Sequence, residues 1–183
     1  MNRTDALNLL HQYTKSDSLR KHALAVEAAM RAYASKFGED EEKWGIVGLL
    51  HDFDYEMYPQ VPDHPMKGSE ILAGQGYPDD VRTAILGHVP QMNVTRESKM
   101  AKTLFACDEL AGFIVACAMV RPNKLNDLQP SSVKKKLKDK AFARTVSRED
   151  IFQGVEELQV NMDEHIDFVI GALRNVPEEL GLN

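Results

Sequence analysis

The sequence predicts an all-α fold, and three observations carry that reading. Apolar residues recur at three- and four-residue spacing through every long segment. No run alternates as a half-buried strand would. The periodic segments also begin at capping residues and end at glycine or proline. About seven to eight helices are expected.

Thr4 is placed to cap a short first helix ending near Tyr13. Ser16 or Asp17 opens a longer one that reaches Phe37 and stops at Gly38. Its stripe of Leu19, His22, Val26, Ala29, Tyr33 and Phe37 puts an imidazole on the inward face. A third helix starts near Asp40, with acids in its first turn that suit the helix dipole. It aligns Trp44, Val47 and His51, and ends at Asp52.

Pro59, Pro62 and Pro65 stiffen the loop that follows. Pro65 suits a first helical position, so a fourth helix is expected from there to about Gln75, stopped by Gly76. A fifth begins after Pro78, carries Val81, Ala84, Ile85 and His88 on one stripe, and ends at Pro90. Gly76-Tyr77-Pro78 is thus a helix stop followed by a helix start.

Residues 97–120 form the most hydrophobic helix, and Asp108 falls in the middle of its core stripe. A carboxylate there must be neutral, paired or metal-bound. Arg121-Pro122 closes that helix. A short basic helix, SSVKKKLKDKAFA, follows, and one long final helix is expected from about Arg148 to Asn175, with His165 on its inward stripe.

At 183 residues, with 43% hydrophobic and 27% charged residues, the chain can bury a real core. With no repeat or evident linker, one domain spanning 1–183 is expected, its core at about 16–120 and helices of 130–176 packing on it. The net charge of −6 argues against a DNA-binding role. No segment reaches the roughly 18 apolar residues of a membrane span, and the N-terminus has no apolar leader pattern. Cys107 and Cys117 share one helix, too far apart to pair, which suggests a cytoplasmic location.

His22, His51-Asp52, His88 and Asp108 therefore put ligand-type groups on inward faces of separate segments, and His64 joins them from the prolyl loop. Each alone has an ordinary structural explanation. Together they call for a common solution, and a divalent cation supplies one, because imidazole and carboxylate are its usual ligands.

This order of residues resembles the HD superfamily of metal-dependent phosphohydrolases over roughly 16–120, and HDFDYEMYP…HPMKGSEIL is similar to uncharacterised bacterial members with an HD-x-D-Y motif. The resemblance implies a compact HD-domain bundle. It also implies that His22, His51, Asp52 and Asp108 are the ligands shared by single-metal enzymes, and that His64 and His88 are the extra pair of the two-metal subgroup. Asp52 would then bridge both ions, with Asp52, His64 and His88 as catalytic candidates. The cofactor implied is one or two divalent ions (Fe, Mn, Co, Ni or Zn).

The chain departs from two better-known branches. Cyclic-dinucleotide phosphodiesterases of the HD-GYP type carry a lysine where Tyr55 stands and a His-His pair where only His88 stands. Alarmone hydrolases have a Glu-Asp pair where this chain has Asp54-Tyr55-Glu56, three residues that could line the pocket mouth, cap the helix end or face solvent.

The activity implied is hydrolysis of a small phosphorylated compound or nucleotide by metal-activated water. Lys67, Arg121 and Lys134 are the candidate phosphate ligands, although a solvated basic helix face is the better explanation for most of the run at Lys134. The alternatives are a di-iron HD-type oxygenase that cleaves C–C or C–P bonds, which the ligand set does not separate from a hydrolase, and a non-catalytic sensing module. The oligomeric state is left open.

Overall fold

A computed structural model describes residues 2–183. It is helical throughout, with no strand and ten α-helices among the described residues. They are α1 (Arg3–Tyr13), α2 (Asp17–Phe37), α3 (Glu41–Leu50), α4 (Asp63–Gly74), α5 (Asp79–Gly87), α6 (Lys99–Met119), α7 (Pro130–Leu137), α8 (Arg148–Leu158), α9 (Met162–Leu173) and α10 (Pro177–Leu180). Among the described residues, no helix is long and apolar enough to cross a membrane.

The helix starts follow capping chemistry. The side chains of Ser16, Asp40 and Ser98 accept backbone N–H groups in the first turns of α2, α3 and α6. α2 ends at Gly38 in the left-handed conformation. At the first helix the cap is Asn2 rather than Thr4, its side chain accepting the Asp5 N–H. In α4, His64 keeps an extended backbone, φ −84° and ψ 129°, so regular helical geometry begins at Pro65 as expected.

Two expectations fail at the C-terminal end. The basic helix stops at Leu137 rather than near residue 143. The long final helix is two helices: Gln159 turns left-handed at φ 57°, and Asn161 starts α9 by accepting the N–H groups of Asp163 and Glu164. With α10 added, the count exceeds the seven to eight expected.

α2, α3 and α6 form the centre. Gly48 is the reason α3 lies so close to α2: a Cβ there would sit 2.9 Å from the backbone of Val26 and Glu27. That approach brings His51, one turn further on, against His22. α8 packs on α6, and α9 packs on α2 and α6. The buried His165 ties these layers together. It accepts the Tyr33 hydroxyl at Nδ1 (2.6 Å) and donates from Nε2 to the Ala106 carbonyl (2.9 Å). It is a core residue, away from the clustered ligands.

Candidate metal centre

The His51-Asp52 dipeptide leaves the end of α3 and enters a tight turn. Phe53 is fully buried with its ring edge-on to Tyr13, and the Thr14 hydroxyl donates to its carbonyl at 2.8 Å. These contacts hold the turn against the end of α1, so Asp52 has a fixed direction. α2 supplies His22, α6 supplies Asp108, α4 supplies His64, and His88 caps the end of α5.

All six side chains converge. His22 Nε2 lies 3.2 Å from His51 Nε2 and 3.0 Å from Asp108 Oδ1, and His51 Nε2 is 3.3 Å from the same oxygen. On the other side, Asp52 Oδ1 lies 3.2 Å from His64 Nε2 and 3.1 Å from His88 Nε2. The second Asp52 oxygen, Oδ2, faces the first group, 3.5 Å from His51 Nε2 and 3.9 Å from His22 Nε2. The two groups, His22/His51/Asp108 and Asp52/His64/His88, therefore share one carboxylate between them.

The donor chemistry fits a metal ion. A carbonyl or carboxylate oxygen can only accept, so Nδ1 must donate in three of the histidines: His51 to Gly48 O (2.7 Å), His88 to Ile85 O, and His64 to Asp54 Oδ1 (2.8 Å). With Nδ1 donating, the Nε2 atoms of His51, His64 and His88 face carboxylate oxygens at 3.3, 3.2 and 3.1 Å, contacts that require a proton or a metal ion between the two lone pairs. Atoms held about 2.1 Å from a common ion stand about 3.0–3.4 Å apart, close to the spacings found.

Electrostatics agree. Burial opposes charging His51, yet Asp52 and Asp108 overcome it and lift the imidazole to about 10. His64 is buried too, and Asp52 and Asp54 raise it to about 9. Burial alone would push both carboxyl groups up, but the neighbouring imidazoles hold Asp52 and Asp108 well below the usual carboxylate range. The centre is strongly organised for positive charge.

Two residues of the centre were not assigned from sequence. Asp54 is fully buried, and besides accepting from His64 it accepts the Gly68 N–H at 2.7 Å. A Cβ at Gly68 would come within 2.8 Å of that carboxyl group, so the glycine is what lets α4 close over it. The HD-x-D and His-Pro-x-x-Gly elements are thus two halves of one contact. The second residue is Glu109, beside Asp108 on the cavity wall. Burial and the Asp108 charge raise it to about 8, and it accepts the Ser147 N–H.

The stretch after the dipeptide divides three ways. Asp54 supports His64, Tyr55 lies edge-on to His64 at 5.2 Å, and Glu56 accepts the N–H groups of Lys15 and Ser16 ahead of α2.

A cavity of about 860 Å³ opens over the centre, lined by His22, Asp52, His64, His88 and Asp108. Lys67, Arg121 and Lys134, the phosphate candidates, are absent from its lining among the described residues. They pair elsewhere, with Glu70, Asp127 and Asp163 respectively. Lys67 is displaced because α4 turns its His64 and Gly68 face inward and leaves Lys67 half-buried on another face, paired with Glu70. Cys107 and Cys117 are buried free thiols, and burial raises both.

A protein-family model described as HD domain matches residues 19–112, just over half of the chain and a span containing all six converging residues. No solved structure gives a significant match. The His/Asp cluster and the matched domain fit the metal-dependent hydrolase superfamily that HD domains define. The chain belongs to the HD domain family.

Proposed function

We propose that this chain is a metal-dependent phosphohydrolase that acts on a small phosphorylated compound and holds two divalent ions. The observation carrying this reading is the division of the Asp52 carboxylate, with Oδ2 toward His22 and His51, and Oδ1 toward His64 and His88. His22, His51 and Asp108 would hold one ion, His64 and His88 the other, with Asp52 between them. Bound there, divalent ions supply Lewis acidity toward a phosphoryl oxygen and acidify a water nucleophile at neutral pH.

The protein's own contribution is positioning. The carbonyls of Gly48 and Ile85 and the Asp54 carboxylate fix three imidazoles, so little reorganisation is needed when substrate arrives. The cavity volume falls in the range of small-molecule sites. The two free, buried cysteines support a cytoplasmic location.

The test is phosphate release from a panel of simple phosphate monoesters by protein reconstituted with manganese, cobalt or nickel. Metal-dependent turnover that Asp52→Ala abolishes supports the reading. Bound iron with a visible absorption band, and oxygen consumption without phosphate release, would replace it with di-iron oxygenase chemistry.

A further inference from the structure

Charge on the cavity wall is unevenly distributed. Asp17, Asp52, Asp108, Glu109 and Asp150 line it, against a single lysine or arginine among the described residues, Lys21. Lys21 is itself paired with Asp17 at 2.7 Å. Asp52 and Asp108 offset half the charge of two divalent ions, and a single phosphate dianion offsets the other half. Any further phosphate would meet Asp150 and the buried Glu109 carboxyl with no free cation to receive it, and an unneutralised phosphate beside a carboxylate is repelled.

One part of the wall has the opposite character. Phe105, Val115 and Val146 line it, and Tyr55, Val61 and Met119 join them while remaining 40%, 45% and 63% exposed. Tyr55 and Val61 come from the prolyl loop and Met119 from the end of α6, so exposed apolar groups from separate elements face one cavity. Apolar surface left in water around a cavity with a few convergent polar groups is the pattern of a ligand site.

We infer that the substrate is a phosphate monoester with a single phosphate and an apolar alcohol part, rather than a nucleoside polyphosphate. This rests on the phosphohydrolase reading with two ions. The phosphate addresses the histidine–aspartate centre, and the organic part lies along Val115, Val146 and Met119 toward the mouth.

The test is calorimetric binding to manganese-loaded protein, using methyl-, butyl- and hexylphosphonate and the magnesium complex of ATP. Phosphonates keep the anionic head but are not hydrolysed, so the readout is affinity alone. Affinity should rise roughly fourfold per added methylene while the chain is being buried. The ATP complex should bind at least tenfold more weakly than hexylphosphonate. Met119→Ser, at an exposed position that does not threaten folding, should weaken hexylphosphonate and leave methylphosphonate unchanged. A flat series with the ATP complex tightest would overturn the inference and leave the phosphohydrolase reading standing. Failure of every phosphonate to bind protein that carries two manganese ions would overturn both.

Discussion

Asp54 supports His64 from behind: its Oδ1 takes the Nδ1 proton at 2.8 Å while its Oδ2 holds the Gly68 N–H at 2.7 Å. One buried carboxylate therefore sets the tautomer of a metal-type histidine and anchors the helix that carries it. Asp54→Ala leaves both donors without a buried acceptor. Metal titration should show the ion at His64 and His88 weakened by about 10–100-fold, the usual effect of losing such a support. The ion at His22, His51 and Asp108 should be little changed. Equal weakening of both would contradict the division of roles.

Gly68 tests the same contact from the other side. Gly68→Ala places a methyl group 2.8 Å from the Asp54 carboxyl, with no room to move at a fully buried site. Chemical denaturation should show a loss of about 1–3 kcal/mol, as for other overpacked positions. Gly74, in the same helix, is the control, because a Cβ there meets nothing within 4 Å. Gly74→Ala should gain about 0.5 kcal/mol from helix propensity.

The contrast between Asp54 and Asp108 shows what the sequence discloses and what it does not. Asp108 was legible because helical periodicity fixes which way it points, and a carboxylate on a core stripe needs a partner. His22, His51 and His88 were legible for the same reason. Asp54 follows the helix in an irregular turn, where no period sets direction, so pocket mouth, helix end and solvent all stayed open. Its buried role depends on Gly68, fourteen residues away, and only the fold brings the two together.

The break between α8 and α9 was hidden differently. Leu158, Met162 and His165 keep helical spacing across it, so the apolar pattern does not register the interruption. The signal present was Asn161 followed by Asp163 and Glu164, a capping residue with acids in the first turn. The phosphate candidates Lys67, Arg121 and Lys134 lie outside the cavity lining, because charge alone carries no directional information on a partly solvated helix surface.

His165 makes acid stability partly predictable. Burial lowers its pKa, outweighing the Ala106 carbonyl that favours charge, and the Tyr33 hydroxyl donates to an Nδ1 that only the neutral ring leaves free. The unfolded chain takes up this proton near pH 6.5, whereas the folded protein resists it. Below that pH the unfolded state binds more protons, so folding stability falls as pH drops, by at most about 1.4 kcal/mol per pH unit. The fall levels off below the folded-state pKa. Urea unfolding of the wild type and His165→Gln should show a stability difference that shrinks from pH 7.5 to pH 5. A difference independent of pH would mean that folding leaves the His165 pKa unshifted, and one that grows toward pH 5 would mean that the fold favours the charged ring.

Removing ligands one at a time separates the two sites. His64→Ala should cost one ion per chain and spare the other, because His22, His51, Asp108 and Asp52 Oδ2 remain. Asp52→Ala should cost both, since each group loses its shared oxygen. Retention of two ions by the Asp52 variant would remove the bridging role.

The central claim is that six side chains on five segments form a two-ion centre around Asp52. Elemental analysis of the purified, reconstituted protein, with metal counted per chain, tests it most directly. The account predicts close to two equivalents. One equivalent would reassign His64 and His88 to another role, and none would contradict the metal centre altogether.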